Sequence, residues 1–200
     1  MSERRRMMMS AKKENVIDVI DLGLPSGLLW STTNLGGNTE TDFGLYFSYG
    51  NVGGHEVGSY SFTSANYRQT RGYGLNGNIP ANSTYDAATA ALGDGWRMPT
   101  MADFRELIEN CTKVWTSDYQ GSGIAGVVFT SKRNGKKIFL VGGGYTNGTT
   151  RTGADVFLRE STQYDTGHGY LARINTNSSD YNFIYGDKYT GVPIRPVKTA

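Results

Sequence analysis

Few side chains in this sequence have a type and spacing that could support nucleophilic or acid–base catalysis. The two histidines, His55 and His168, lie far apart in glycine-rich segments and form no HExxH-type zinc motif. The single cysteine, Cys111, follows apolar residues at helical spacing, which favours a small buried side chain over a nucleophile. One cysteine also leaves no partner for an intrachain disulfide. We therefore predict that the protein is not an enzyme and that it binds no cofactor and no metal.

Motifs that place catalytic groups on loops are missing from the sequence as well. There is no Gly-x-Ser-x-Gly elbow, and the glycine-rich run 141–150 lacks the lysine of a phosphate-binding loop. Asp86, Asp94, Asp103 and Glu106 cluster around predicted helices, where capping and solvation account for them.

Residues 155–187 instead carry the chemistry of molecular recognition. Tyrosines alternate there with Asn, Ser, Thr and Asp, the mixture that antibody paratopes use. Tyrosine offers a large rigid contact area, the small polar residues offer adaptable hydrogen bonds, and arginine is a favoured anchor in interfaces. The alternative interpretation is a solvated loop whose aromatic side chains reach into the core. The predicted ligand-binding residues are Phe157, Arg159, Glu160, Tyr164, Asp165, His168, Tyr170, Arg173, Asn175, Asn177, Ser179, Asp180, Tyr181, Asn182, Phe183, Tyr185 and Asp187.

The composition indicates the kind of scaffold that must position these residues. The 200 residues include 27 Gly and 13 Tyr, and only 19% are charged, which favours a β-rich scaffold with packed loops. A net charge of +2 gives no reason to expect nucleic acid as a partner. No apolar run is long enough for a membrane helix, so we expect no membrane insertion. Because the start of the chain resembles no secretory signal, we expect a protein that is not exported through the Sec route.

The first half of the chain predicts short strands followed by helices. Two strand-like runs in 16–32 flank a Leu-Pro-Ser-Gly turn, and 43–50 alternates like a half-buried strand. Residues 51–83 have no stable period and predict a long surface loop. A short helix is expected in 84–93, and a longer one in 95–112, where Thr100 and Asp103 have the spacing of a capping box.

The second half predicts strands, with an Asn134-Gly135 hairpin turn between two of them. The segment 174–187 lacks the regular period of a buried strand, so we expect it to be irregular. We predict one α+β domain over 15–200, preceded by a flexible basic tail over 1–14. The predicted strands are 113–118, 123–132, 136–144, 154–162, 169–175 and 191–197.

Four sequence blocks together are characteristic: VIDLGLPSGLLWSTTNLGG, FGLYFSYG, GWRMPTMADFRELIENC and GVPIRPV. From about residue 16 to 198 the chain resembles C-type-lectin-fold domains of the formylglycine-generating-enzyme-like subtype, which include the major paralogous domain of gut bacterial surface proteins. The resemblance implies a C-type lectin fold, with short mixed or antiparallel strands, one or two helices and long loops. It also implies that Trp30, Trp96, Arg97, Pro99 and Arg195 are scaffold residues.

Some proteins of this family are variable proteins of diversity-generating retroelements, similar to phage tropism determinants. In these proteins, codons near the end of the gene are rewritten while scaffold codons stay fixed. Every residue in 174–187 is reachable from an Asn codon by adenine changes, and the segment lies just before GVPIRPV. At 156–161 the sequence VFLRES departs from the Tyr-Trp-Ser-Ser element common in the family.

This resemblance implies a host-recognition protein encoded by a phage or prophage. The expected partner is a protein or glycan on a cell surface, and the expected location is the virion (phage tail), or the cytoplasm before release. We also expect a homo-oligomer, or docking to a phage particle through residues 1–14. The alternatives are a constant adhesin or assembly subunit, an enzyme of the formylglycine-generating branch, and a calcium-dependent lectin. The catalytic cysteine arrangement and the sugar-binding Glu-Pro-Asn or Gln-Pro-Asp triplets of those branches find no match in this sequence.

Overall fold

The computed structural model describes residues 17–176 and 180–199. The predicted tail 1–14 and the predicted binding residues Asn177 and Ser179 therefore lie outside the described residues. The described chain is α+β, with many short strands and few helices. No helix within these ranges has the length and apolar composition needed to cross a membrane.

The helices are α1 (Ser64–Tyr67), α2 (Ala87–Leu92) and α3 (Met101–Asn110). The strands are β1 (Val19–Asp21), β2 (Leu29–Ser31), β3 (Tyr46–Phe47), β4 (Trp96–Arg97), β5 (Cys111–Thr116), β6 (Gly126–Ser131), β7 (Lys137–Val141), β8 (Tyr145–Asn147), β9 (Thr150–Thr152), β10 (Val156–Gln163), β11 (His168–Ile174), β12 (Tyr181–Asp187), β13 (Val192–Pro193) and β14 (Val197–Lys198).

The two ends of the described chain meet in one sheet of order β1-β2-β14-β4. Val197 of β14 lies opposite both Trp30 and Arg97, so the last strand joins an early hairpin to the segment that precedes α3. The predicted pair of strands around the Leu-Pro-Ser-Gly turn is confirmed by β1 and β2. The run 191–197, however, is not one strand. It forms β13 on β3 and β14 on β2 and β4, because its prolines interrupt ladder pairing between them.

Helix α3 begins at the predicted cap. The Thr100 hydroxyl oxygen accepts a hydrogen bond from the Asp103 backbone N–H at 3.2 Å, and an Asp103 carboxylate oxygen accepts one from the Thr100 N–H at 2.7 Å. Arg97 also binds both Asp103 carboxylate oxygens, at 2.6 and 3.0 Å. The helix ends at Asn110, so Cys111 opens β5 and is not on the helix as the sequence suggested.

The main core lies between α3, the sheet of order β5-β6-β7 and the sheet of order β10-β11-β12. Trp30 is fully buried in it, with its ring centroid 5.2 Å from that of Phe104 on α3. Arg195 is buried as well, and its guanidinium donates hydrogen bonds to the carbonyls of Ser31 and Phe139. The core thus fixes the orientation of the β10-β11-β12 sheet relative to α3.

The segment 174–187 is more regular than its sequence suggested, and that prediction was wrong. Tyr181–Asp187 forms β12, which pairs antiparallel with β11 over seven residues, from His168↔Asp187 to Ile174↔Tyr181. Alternate aromatic residues face one side of the sheet, but β12 lies at its edge and is only partly buried. The sequence of β12 therefore lacks the alternation of polar and apolar residues by which a half-buried strand is predicted. The β8–β9 hairpin within the predicted Gly- and Thr-rich loops was missed for the same reason, since its β9 strand is exposed.

Candidate ligand-binding face

The register of β10, β11 and β12 sorts the predicted binding residues onto two sides of one sheet. On the side that packs against α3, Ala172 lies opposite Phe183, and Tyr170 lies opposite Tyr185. Ala172 belongs to the main core, and Phe183 packs against it. The tyrosine pair comes two residues farther along the strands and is less covered. The same sheet side therefore passes from core to solvent along its length.

Beyond the core, four rings form a group that we call the aromatic face: Tyr164, His168, Tyr170 and Tyr185. Tyr164 and Tyr185 stack in parallel with ring centroids 4.3 Å apart and planes 5° apart. Tyr170 meets Tyr164 edge-on at 5.2 Å, and His168 meets Tyr185 edge-on at 5.4 Å. Tyr164 and Tyr185 are 48% and 55% exposed. The face thus presents preordered aromatic surface to solvent.

Two carboxylates flank the histidine of this face. Nδ1 of His168 lies 2.8 and 2.9 Å from the Asp165 carboxylate oxygens, and Nε2 lies 3.5 Å from Oδ1 of Asp187. The backbone N–H groups of Gly167 and His168 also donate to Asp165 at 2.8 Å. Desolvation acts to raise the pKa of Asp165, but these hydrogen bonds outweigh it and hold the pKa below its usual value. The turn between β10 and β11 is thereby fixed, and hydrogen-bond acceptors lie beside the aromatic rings.

The opposite end of β12 carries aromatic rings with cations instead. Nζ of Lys113 on β5 lies 4.6 Å from the ring centroid of Tyr181, and Arg105 on α3 lies 5.4 Å from that of Phe183. Tyr181 is 42% exposed. Lys113 and Arg105 were not predicted as part of the site, because they come from distant elements and no local pattern marks them.

Three predicted binding residues are core residues, and for them the prediction was wrong. Phe157 is buried beside Leu171 and Val192, and Arg159 and Glu160 are each 0% exposed. The Arg159 guanidinium donates to the Thr190 carbonyl, and a Glu160 carboxylate oxygen accepts from the Thr162 N–H at 2.7 Å. Burial lowers the pKa of Arg159 to about 10 and raises the pKa of Glu160 to about 7. The first six residues of β10 are buried against α3 and the core, so even the charged side chains among them are enclosed.

The remaining predicted residues divide by side and by end of the sheet. Tyr164, Asp165, His168, Tyr170, Tyr185 and Asp187 come together at the aromatic face. Arg173 and Asn182 pair on the other side of the sheet, where Arg173 binds Asp155 at 2.6 Å. Asn175 and Asp180 meet at the far hairpin end through a backbone hydrogen bond of 2.9 Å.

A cleft with a volume of about 890 Å³ lies elsewhere. Leu35, Leu45, Phe47 and Leu92 contribute its apolar surface, and Asp18 and Glu40 its charge, among other residues. It contains none of the predicted binding residues. The rings of Tyr164, Tyr170 and Tyr185 line neither this cleft nor a smaller one beside Gly167 and Asp187. Exposed rings of this kind suit a macromolecular partner better than an enclosed small molecule.

Groups suited to catalysis or metal binding are sparse in the described ranges. Cys111 is 3% exposed, and burial raises the pKa of its thiol to about 11, which keeps it protonated at neutral pH. Within 17–176 and 180–199, no three His, Cys, Asp or Glu side chains come together in a way that could hold a metal ion.

Comparisons of the chain with protein-family models, with curated proteins and with solved structures found no match.

Proposed function

We propose that this chain is a non-enzymatic ligand-binding protein of the C-type lectin fold, and that it binds through the aromatic face. The observation that carries the proposal is the exposed stack of Tyr164 and Tyr185, with Tyr170 and His168 set edge-on against it. Exposed aromatic side chains that are already ordered contribute contact area without a large loss of side-chain entropy on binding. The neighbouring Asp165 and Asp187 supply acceptors for the hydroxyl, amide or ammonium groups of a partner.

The scaffold beneath the face supports this role. Strand β12 is followed by Val192, Ile194 and Val197, which are all at most 1% exposed. Exposed residues of β12 can change without disturbing these buried neighbours. A rigid sheet whose edge tolerates substitution is the arrangement that a diversified binding protein requires. The proposed partner is accordingly a protein or glycan on a cell surface, and the proposed setting is host recognition by a phage-encoded protein.

Binding can be tested by removing the stacked rings. Tyr164→Ala and Tyr185→Ala would be compared with Tyr60→Ala, which removes a tyrosine from a separate cluster with His55 and Phe62. The probes are a printed glycan array and intact cells of a panel of gut bacteria. For any probe that binds, we expect each face variant to lose about 30-fold in affinity, since aromatic anchors contribute about 2 kcal/mol or more. If the face variants bind as tightly as Tyr60→Ala, the aromatic face is not the binding surface.

Diversification can be tested at the gene. A neighbouring template repeat and a reverse-transcriptase gene would support it, and their absence would leave a constant adhesin or assembly subunit. Across isolates, substitutions should concentrate at exposed positions of the aromatic face and β12. The buried Phe157, Arg159 and Glu160 should remain unchanged. Variation spread evenly over buried and exposed positions would contradict the proposal.

A further inference from the structure

Strand β12 forms one edge of its sheet. The order is β10-β11-β12, and within the described residues no other strand pairs with the outer side of β12. The backbone groups on that side are available to a further strand. Among the edge strands of the described residues, only β10 is longer, with eight residues, and β10 is buried along most of its length.

Two hydrogen bonds just beyond the ends of β12 show which backbone groups point outward. The N–H of Asn175 donates to the Asp180 carbonyl at 2.9 Å, and the N–H of Lys188 donates to the Gly167 carbonyl at 2.9 Å. In an antiparallel ladder such pairs recur at every second residue. The hydrogen-bonded positions of β12 toward β11 are therefore 182, 184 and 186. The N–H and C=O groups of Tyr181, Phe183 and Tyr185 and the N–H of Asp187 point to the free edge, whereas the Asp187 carbonyl accepts a hydrogen bond from the Thr190 N–H at 3.0 Å.

The sequence of this edge lacks three of the features that usually prevent strand pairing, namely lysine, proline and a β-bulge. The strand reads YNFIYGD, with no Lys and no Pro, and its register to β11 runs without a bulge. Native edge strands are commonly blocked by such residues or by bulges. Aromatic residues occupy three of the four outward-pointing positions, and aromatic pairs across strands are stabilising.

We propose that β12 pairs antiparallel with β12 of a second copy of this chain. A two-fold axis at Ile184 places Phe183 opposite the partner's Tyr185 and Tyr181 opposite the partner's Asp187. Phe183 and the partner's Tyr185 can exchange both backbone hydrogen bonds, and the N–H of the partner's Asp187 can donate to the Tyr181 carbonyl. The product is a continuous six-stranded sheet that joins the two aromatic faces.

Charge complementarity favours this register. Nζ of Lys113 lies over the ring of Tyr181, and the Asp187 side chain is 43% exposed at the other end of the same strand. Because directly opposite side chains have Cβ atoms only about 5 Å apart, Asp187 of each copy comes within reach of Lys113 of the other. The two-fold axis generates this cation–carboxylate pair twice.

Charge reversal tests the contact on the full chain by sedimentation at about 1 to 100 µM. The wild-type chain should dimerise, whereas Lys113→Glu alone and Asp187→Lys alone should each weaken the dimer about tenfold or more, since like charges then face each other twice. An equimolar mixture of the two variants should recover the dimer, because both contacts become attractive again. Lys137→Glu, a charge reversal on the exposed start of β7, should leave the dimer unchanged. A wild-type chain that stays monomeric, or variants whose mixture shows no recovery, would overturn the proposal.

Disulfide capture tests the register. Ile184→Cys places one sulfur from each copy next to the two-fold axis, within the Cα separation that a disulfide needs. Asn182→Cys is the matched control, because its residue lies opposite the partner's Gly186, about 13 Å along the strand from the partner's residue 182. Under mild oxidation the first variant should give a covalent dimer and the second should not. Equal cross-linking of both, or of neither, would exclude this arrangement of the two strands.

Discussion

Strands β10 and β12 flank the same central strand and carry similar mixtures of charged, polar and aromatic residues, yet they have opposite environments. Six consecutive residues of β10, from Val156 to Ser161, are buried, including Arg159 and Glu160. In β12 every residue is at least partly accessible, including the apolar Phe183 and Ile184. Residue type therefore does not decide which strand is exposed. Both strands are edges of the sheet, but β10 is buried against the core for most of its length, whereas β12 is only partly covered.

We therefore expect substitutions in β10 to act on stability and substitutions in β12 to act on binding. The buried charges of β10 are expected to be the most sensitive positions, because an enclosed ionic group depends on the few partners that the fold provides.

The largest effect is expected from Arg159→Ala. The change removes a fully buried side chain, leaves a cavity and deprives the Thr190 carbonyl of its donor. We expect the free energy of unfolding, measured in urea, to fall by about 3 to 5 kcal/mol. Arg159→Met, which keeps most of the volume, should lose less, and Arg68→Ala at an exposed position should change stability by less than about 0.5 kcal/mol. A loss at Arg159→Ala as small as that at Arg68→Ala would remove the distinction between the two strands.

The next effect is a pH dependence that originates at Glu160. Burial raises the pKa of this carboxyl from its ordinary value to about 7, so between pH 4.5 and about 7 the folded chain holds a proton that the unfolded chain has released. The bound proton therefore stabilises the folded chain fully below the unfolded pKa, and this stabilisation is lost as the pH rises through the folded pKa. Over that window wild type should lose about 3 kcal/mol relative to Glu160→Gln.

Urea unfolding at several pH values measures this difference. Glu56→Gln, at an exposed position, is the control and should follow wild type. Parallel pH profiles for wild type and Glu160→Gln would show that Glu160 does not hold the proton.

Much of the fold could be predicted from the sequence where local chemistry decides. The α3 cap at Thr100 and Asp103, the Leu-Pro-Ser-Gly turn and the strands in 113–144 depend on neighbouring residues, and all of them were found. Strand β12 was missed because its pairing depends on β11 and on its edge position, neither of which leaves a two-residue period in the sequence. The predicted hairpin turn at Asn134-Gly135 is confirmed, since β6 and β7 pair antiparallel on either side of it, although the connection between them is longer than two residues.

The candidate site, too, could be predicted only where residue type and local spacing decide. The tyrosines in 164–185 were identified from their type and spacing, and the structure places Tyr164, Tyr170 and Tyr185 together. The burial of Arg159 and Glu160 could not be inferred, because charged residues are mostly exposed and only tertiary packing encloses these two. Lys113 reaches Tyr181 across a sequence separation that no local pattern spans.

The smallest effect is expected for stability at the exposed positions of β12. Asn182→Thr replaces an exposed side chain with one that favours strands, so the free energy of unfolding should change by less than about 0.5 kcal/mol. Tyr185→Ser removes the stack on Tyr164 and should cost about 1 kcal/mol. Both values come from the same urea titrations as Arg159→Ala, and the far-ultraviolet circular dichroism of both variants should match wild type. Costs near those of Arg159→Ala would mean that β12 is as constrained as β10, and a surface that is free to vary could not then be built on it.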